Sequence, residues 1–224
     1  MNILVINPNS DLQMTADIQR SAARYAADRI CVTTLATPGA PTFIDTYQDT
    51  ALAAPGMMQL LRQHEADYDA FVIACHCDPN LDLIKELTAK PVVGIGEASM
   101  KLASMLGHRF SVLSTSPDSV PNKQAVVHKY YLSGSLASVR SPKTPLHDLS
   151  NDALFLQLGK EALEQDRAEV LVLGCAGLCE LAETLHEQLG VPVLDGVVCG
   201  LIIAEGLVRA GYSTSKISRY KGNV

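Results

Sequence analysis

Phe71-Val-Ile-Ala-Cys75 and Leu171-Val-Leu-Gly-Cys175 repeat one pattern one hundred residues apart. Each is an apolar run of strand length that ends in a small residue and a cysteine. The surroundings repeat too. After Cys75 come a helical stripe and Pro91-Val-Val-Gly-Ile-Gly96, and after Cys175 another stripe and Pro192-Val-Leu-Asp-Gly196. In a third pair, Ile3-Leu-Val-Ile-Asn7-Pro8 and Phe110-Ser-Val-Leu-Ser114-Thr115, an apolar strand runs straight into small polar turn residues. The pattern reads as a duplicated α/β half whose matching cysteines face each other across a pseudo-twofold cleft.

Between these anchors, short β-branched runs alternate with longer helical stripes, the signature of βα units around a mainly parallel sheet. Strands are expected near 2–7, 30–35, 69–75, 91–95, 109–114, 168–174 and 191–194, with a short one at Leu136–Val139 inside the loop-like stretch Ser133–Asp148. Helical spacing is clearest at Leu178, Leu181, Leu185 and Leu189, with Glu180, Glu183 and Glu187 facing water; Leu81, Ile84 and Leu87 mark another helix. The expected fold is α/β: two pseudo-symmetric αβα half-domains with mainly parallel sheets and the active site in the cleft between them. Residues 1–97 plus 206–224 are assigned to the first half, with Cys75, and 98–205 to the second, with Cys175.

Composition narrows the function. The 224 residues are 47% hydrophobic with a net charge of −6, and Lys and Arg never cluster. That balance argues against nucleic-acid or membrane partners and favours a small molecule. Near the start, the apolar run Ile3–Ile6 has the length of a strand and not of a leader, so a cytoplasmic protein with reduced thiols is expected. Cys31 and Cys199 read as small buried hydrophobes.

In an open α/β sheet, ligands bind beyond the carboxyl ends of the strands. There the sequence places Asn9, the run Cys75-His76-Cys77-Asp78, Ser114-Thr115-Ser116 and Gly174-Cys175-Ala176-Gly177. Each leads toward a helix N-terminus, which binds oxygens and favours a thiolate, so cysteines here are expected to ionise below the usual value of about 8.5. Spacings of Cys-x-Cys and Cys-x3-Cys match zinc knuckles poorly, and no metal site is assigned. His76 reads as a pocket-lining or packing residue, because neighbours on a strand end point to opposite faces. Asp78 reads as the N-cap of the helix that follows it, ahead of a role in the site.

With these residues the chain resembles the Asp/Glu/hydantoin racemases, and within them the hydantoin and allantoin racemase branch. The resemblance spans nearly the whole chain through Ile6-Asn-Pro-Asn-Ser10, Ala74-Cys75 with Asp78-Pro79, Pro91 to Ala98, Ala137-Ser-Val-Arg140, Leu173 to Gly177, and Thr214-Ser-Lys216 with Tyr220. The Asp-Ser-Gly type opening loop usual in the free amino acid racemases is lacking. The resemblance implies a homo-oligomer that needs no cofactor, with Cys75 and Cys175 acting on opposite faces of the substrate's stereocentre. After its first cysteine the branch commonly carries an aromatic residue and a small one, then Gly after Asp-Pro. Here those places hold His76, Cys77 and Asn80.

Inverting a carbon that bears hydrogen beside a carbonyl needs a base on one face, an acid on the other, and donors for the enolate-like oxygen between. Two thiols supply both roles. Asn9, His76, Cys77, Ser114, Thr115, Ser116, Gly174, Ala176 and Gly177 are the expected substrate contacts, with backbone amides around Asn9, Cys77, Ser116, Ala176 and Gly177 holding carbonyl oxygens. A free amino acid racemase, a decarboxylase or cis-trans isomerase of a small dicarboxylate, and a carboxylate-binding module are the competing readings.

Overall fold

The computed structural model describes residues 1–27, 29–146 and 151–222. Apolar strands buried on both faces need helices above and below, and the chain supplies them by strict alternation. The first half runs β1 (Asn2–Asn7), α1 (Leu12–Ala26), β2 (Cys31–Ala36), α2 (Tyr47–His64), β3 (Ala70–Ile73), α3 (Leu81–Leu87), β4 (Val92–Gly94) and α4 (Ile95–Leu106). The second repeats it with β5 (Phe110–Leu113), α5 (Val120–Lys129), β6 (Leu136–Arg140), α6 (Asp152–Glu164), β7 (Val170–Leu173), α7 (Leu181–Leu189), β8 (Val193–Leu194) and α8 (Gly196–Ala210). Two four-stranded parallel sheets result, in the orders β2-β1-β3-β4 and β6-β5-β7-β8. The duplicated α/β fold read from the sequence is the observed one.

Alternation along each strand divides the core. On the first sheet Ile3, Val5 and Val72 pack under α1 and α8, while Leu4, Ile6, Phe71 and Ile73 pack under α2 and α3. On the second, Phe110, Val112, Val170 and Val172 meet Met100 and Ala103 of α4, and Leu171 and Leu173 meet Phe155, Leu158 and Leu185 of α6 and α7. α4 therefore spans both cores, with Ile95 and Ala98 in the first and Met100 and Ala103 in the second, and α8 returns: Val197, Leu201 and Ala204 lie in the first sheet's core. The return was expected at 206, but packing moves the whole of α8, from Gly196, to the first half. The tail stays there as well, with Lys216 Nζ donating to the carbonyls of Lys85 (2.6 Å) and Glu86 (3.0 Å) and Tyr220 Oη to Asp82 (2.6 Å).

Smaller departures have local causes. Leu178 lies in a 3-10 turn ahead of α7, though it is buried with Leu181 and Leu185 as the stripe requires. Leu87, the last residue of α3, is partly exposed. Cys199 is buried, but Cys31 is exposed, because it opens the edge strand β2. Of the stretch Ser133–Asp148, the expected strand is β6, and His147 and Asp148 lie outside the described residues. Among the described residues no helix is long and apolar enough to cross a membrane.

Asp78 does cap a helix, but a different one. Its backbone turns into the left-handed region at φ 48, and its carboxylate accepts from the amides of Gly96 (3.0 Å) and Glu97 (2.6 Å) at the start of α4 and from Tyr130 Oη (2.7 Å). The α3 N-cap is Asn80, whose side chain donates instead to the Thr50 carbonyl at 2.7 Å. Close approach explains the glycines opposite: a Cβ on Gly94 would fall 2.3 Å from Asp78 Oδ1, and one on Gly96 2.2 Å from the His76 carbonyl. Burial raises the Asp78 carboxyl to about 7 against the pull of its three donors. The native state thus holds this proton more tightly than the unfolded chain, and the group's contribution to stability falls as pH rises from about 4 to about 7. Asp78→Ala is expected to cost about 1–3 kcal/mol, since two buried amides lose their acceptor, and to flatten the melting temperature's pH dependence across that window. Thermal denaturation at a series of pH values checks both; an unchanged slope would show that Asp78 does not titrate there.

Candidate active site

In both sheets the two central strands end on one shared cavity. Asn9 follows β1, Cys75 and Cys77 follow β3, Thr115 follows β5, and Gly174, Cys175 and Ala176 follow β7; all seven line a cavity of about 40 Å³. The carboxyl ends of adjacent central strands are the expected place for it. Asn9 is fixed by its neighbours: its Oδ1 accepts from Asn7 Nδ2 (2.7 Å) and the Asp11 amide (3.0 Å), and its Nδ2 donates to Met14 Sδ (3.2 Å).

Four expected contacts fall elsewhere. Ser116 faces an outer chamber of about 330 Å³ that shares Met14, Phe43, Asp45 and Thr115 with the inner one. Ser114 is fully buried and shares a 2.5 Å hydrogen bond with Ser119 Oγ. His76 is also fully buried, turned away from the cavity as strand alternation requires, and neither ring nitrogen has a partner among the described residues. Burial, and then the charge of Lys123, hold its imidazole well below the ordinary value, so it is neutral. Gly177 stands behind Cys175, where its amide favours the sulfur's thiolate form; the Cys77 amide does the same for Cys75.

Helix-end electrostatics do not dominate the two cysteines. The hydrogen bond to Cys77, followed by burial, raises Cys75 well above the usual thiol range, and burial raises Cys175. The turn after Cys175 is a three-residue 3-10 segment, too short to offset that burial. Cys77 is the lowered thiol: the hydrogen bond from Cys75, assisted by the charge of Lys123, brings it down to about 5. Lys123, from α5, was not foreseen. It is only 5% exposed, lines the cavity, and places Nζ 3.2 Å from Cys77 Sγ. Burial alone would lower the ammonium, but Cys77, Cys75 and Cys175 outweigh that and keep it charged. Phe43, Ile44 and Asp45, before α2, complete the rim.

Three thiols, one cation and small-residue loops can move protons across a small substrate. A sequence model described as Asp/Glu/Hydantoin racemase matches residues 3–203. The hydantoin racemase of Pseudomonas sp. (strain NS671) is 40% identical over 227 residues, which span 99% of this chain and 91% of that one. The solved allantoin racemase from Klebsiella pneumoniae has a TM-score of 0.95 at 33% identity, covering 100% of this chain and 94% of its own. The allantoin racemase of Pseudomonas fluorescens gives 0.92 at 32%, covering 100% and 97%. The chain belongs to the Asp/Glu/hydantoin racemase family and is an isomerase of the racemase type.

An unpartnered buried imidazole beside the site gives a direct test. Replacing it with an apolar ring removes polar atoms that nothing satisfies, so His76→Phe is expected to raise stability by about 1 kcal/mol and to leave racemisation within a few-fold. Melting curves and polarimetry read the two effects. A fall in rate of about a hundredfold, the scale of a lost acid or base, would give His76 a chemical role.

Proposed function

We propose that this protein racemises a 5-substituted hydantoin or allantoin without a cofactor, by proton transfer between Cys75 and Cys175. The carrying observation is that both sulfurs line one cavity from pseudo-equivalent strand ends, β3 and β7. The hydrogen to be moved sits on a ring carbon beside a carbonyl, which takes up the carbanion charge as an enolate-like oxygen. One cysteine, as thiolate, removes that hydrogen; the other, as thiol, delivers its own proton to the opposite face. The enantiomer leaves, and the two cysteines have exchanged protonation states. Positioned acid and base groups each contribute about 10²–10⁴-fold.

Dicarboxylate and free amino acid substrates are the competing choice, and Lys123 is the feature that would suit a carboxylate. Its ammonium already faces the Cys77 sulfur, which favours a substrate that brings no charge of its own to the inner cavity. Polarimetry with single enantiomers of a 5-substituted hydantoin, allantoin, aspartate and glutamate decides between them. Rotation lost only with the free amino acids would overturn the ring-substrate reading.

Cys75→Ser and Cys175→Ser should each lower racemisation by about 10³-fold or more. In heavy water each variant keeps the thiol of one face and should exchange the α-hydrogen of one enantiomer with retention, the two variants choosing opposite enantiomers. NMR of each pure enantiomer with each variant reads this, and exchange of the same enantiomer by both would mean the cysteines do not flank the reacting carbon. Dialysis against a strong chelator should leave the rate unchanged; a loss that zinc restores would replace thiol chemistry with a metal.

A further inference from the structure

The two-thiol mechanism leaves Cys77 and Lys123 unused, although both line the inner cavity. Resting on that mechanism, we infer that Cys77 and Lys123 form a proton-holding pair for Cys75, in which Cys77 takes the Cys75 proton to arm it as a base and Lys123 keeps the negative charge on this face.

The geometry supplies the parts. Lys123 Nζ lies 3.2 Å from Cys77 Sγ and Asn122 Nδ2 lies 3.4 Å from the same sulfur, so α5 directs two donors at one atom. The partner is a sulfur and not a carboxylate. A buried ammonium facing only neutral thiols would carry several kcal/mol of uncompensated desolvation, so one thiolate is required beside it. Cys75 and Cys77 line the same cavity and push each other's ionisation in opposite directions, Cys77 down and Cys75 up, so ionising one disfavours ionising the other. Across the cavity Cys175 has no such partner among the described residues: Gly177 stands where Cys77 stands on the first side, and burial keeps Cys175 protonated. The other titratable groups facing Cys77 are Asp45, which opposes its ionisation, and Cys175 across the cavity, whose own ionisation a Cys77 thiolate opposes.

The proton count closes. At rest the three thiols hold two protons, one shared by Cys75 and Cys77 and one on Cys175. Cys75 passes its proton to Cys77 and becomes the thiolate; it then takes the substrate's hydrogen while Cys175 gives up its own to the opposite face. Two protons remain on the thiols, now on Cys75 and Cys77, with the charge on Cys175. The opposite enantiomer, or solvent exchange, runs the sequence back.

The test compares wild type with Cys77→Ala, Lys123→Met and Lys123→Arg, using the pH dependence of kcat/KM and alkylation by iodoacetamide at about pH 6, below the usual thiol range, mapped by mass spectrometry. Expected are an acidic limb moved up by about one pH unit or more in Cys77→Ala and Lys123→Met, and labelling of the Cys75–Cys77 segment at that pH in wild type and Lys123→Arg but not in Lys123→Met. Cys175 should stay unlabelled in all of them. An acidic limb and a labelling pattern both unmoved by Cys77→Ala and Lys123→Met would overturn the inference. Cys75→Ser and Cys175→Ser separate the two ideas: if either still racemises at the wild-type rate the two-thiol mechanism itself fails, whereas if both collapse while Cys77→Ala and Lys123→Met leave the limb in place, only the proton-holding pair fails.

Discussion

The exchange of α4 and α8 between the sheets is the constraint on which the rest depends. A parallel sheet must be covered on both faces, and each half borrows one cover from the other: Met100 and Ala103 of α4 fill the second core, Val197 and Leu201 of α8 the first. The two helices also lie against each other, where a Cβ on Gly196 would fall 3.2 Å from Ile95 Cβ and one on Gly200 3.3 Å from Ile95 Cγ2, so bulk is excluded there. Neither half has a complete core alone. The shared packing holds the carboxyl ends of β1, β3, β5 and β7 around one space, and two chemically ordinary cysteines become a facing pair. Asp78 tightens the arrangement by tying the Cys75–Cys77 loop to the first turn of α4 and to Tyr130 at the end of α5.

Much of this was legible in the sequence because it is written twice. Repetition picks Cys75 and Cys175 out of six cysteines, and strict βα alternation gives all eight strands. What escaped has long-range causes. That Asp78 caps α4 and not α3 depends on a left-handed turn and on glycines at 94 and 96, a contact across eighteen residues that local cap patterns do not encode. The return of α8 depends on which sheet lacks a cover, a property of the whole molecule. Lys123 did leave a trace: with Val126, Val127 and Tyr130 it falls at spacings of three, four and seven on one helical stripe, the buried face of α5. A lysine inside an apolar stripe is a rare placement that calls for a buried partner.

That partner changes how the site's charge is understood. Helix ends suggested that Cys75 and Cys175 would each be acidified where they stand, but burial opposes ionisation at both, and the ammonium of Lys123 is the compensating charge. Solvent is scarce in a cavity of about 40 Å³, so the field of a buried cation is weakly screened there. The negative charge is set by the cavity as a unit. In the proposed mechanism, which sulfur carries it is a matter of proton position.

The fold is nearly symmetric while the charge is not, and enantiomers make that difference informative. Two mirror-image substrates have equal free energies in water, so kcat/KM must be the same for both whatever the enzyme does. A cation on one side therefore cannot favour one enantiomer overall; it can only lower one protonation form of the enzyme against the other. In the proposed mechanism the form with its thiolate beside Lys123 accumulates between turnovers, and the form with Cys175 ionised is the higher one. An enantiomer whose hydrogen faces Cys75 meets the abundant form and binds with the smaller KM and the smaller kcat. Its mirror image meets the scarce form, with KM and kcat raised by the same factor. The asymmetry written by Cys77 and Lys123 opposite Gly177 is thus confined to how each rate is divided between binding and turnover.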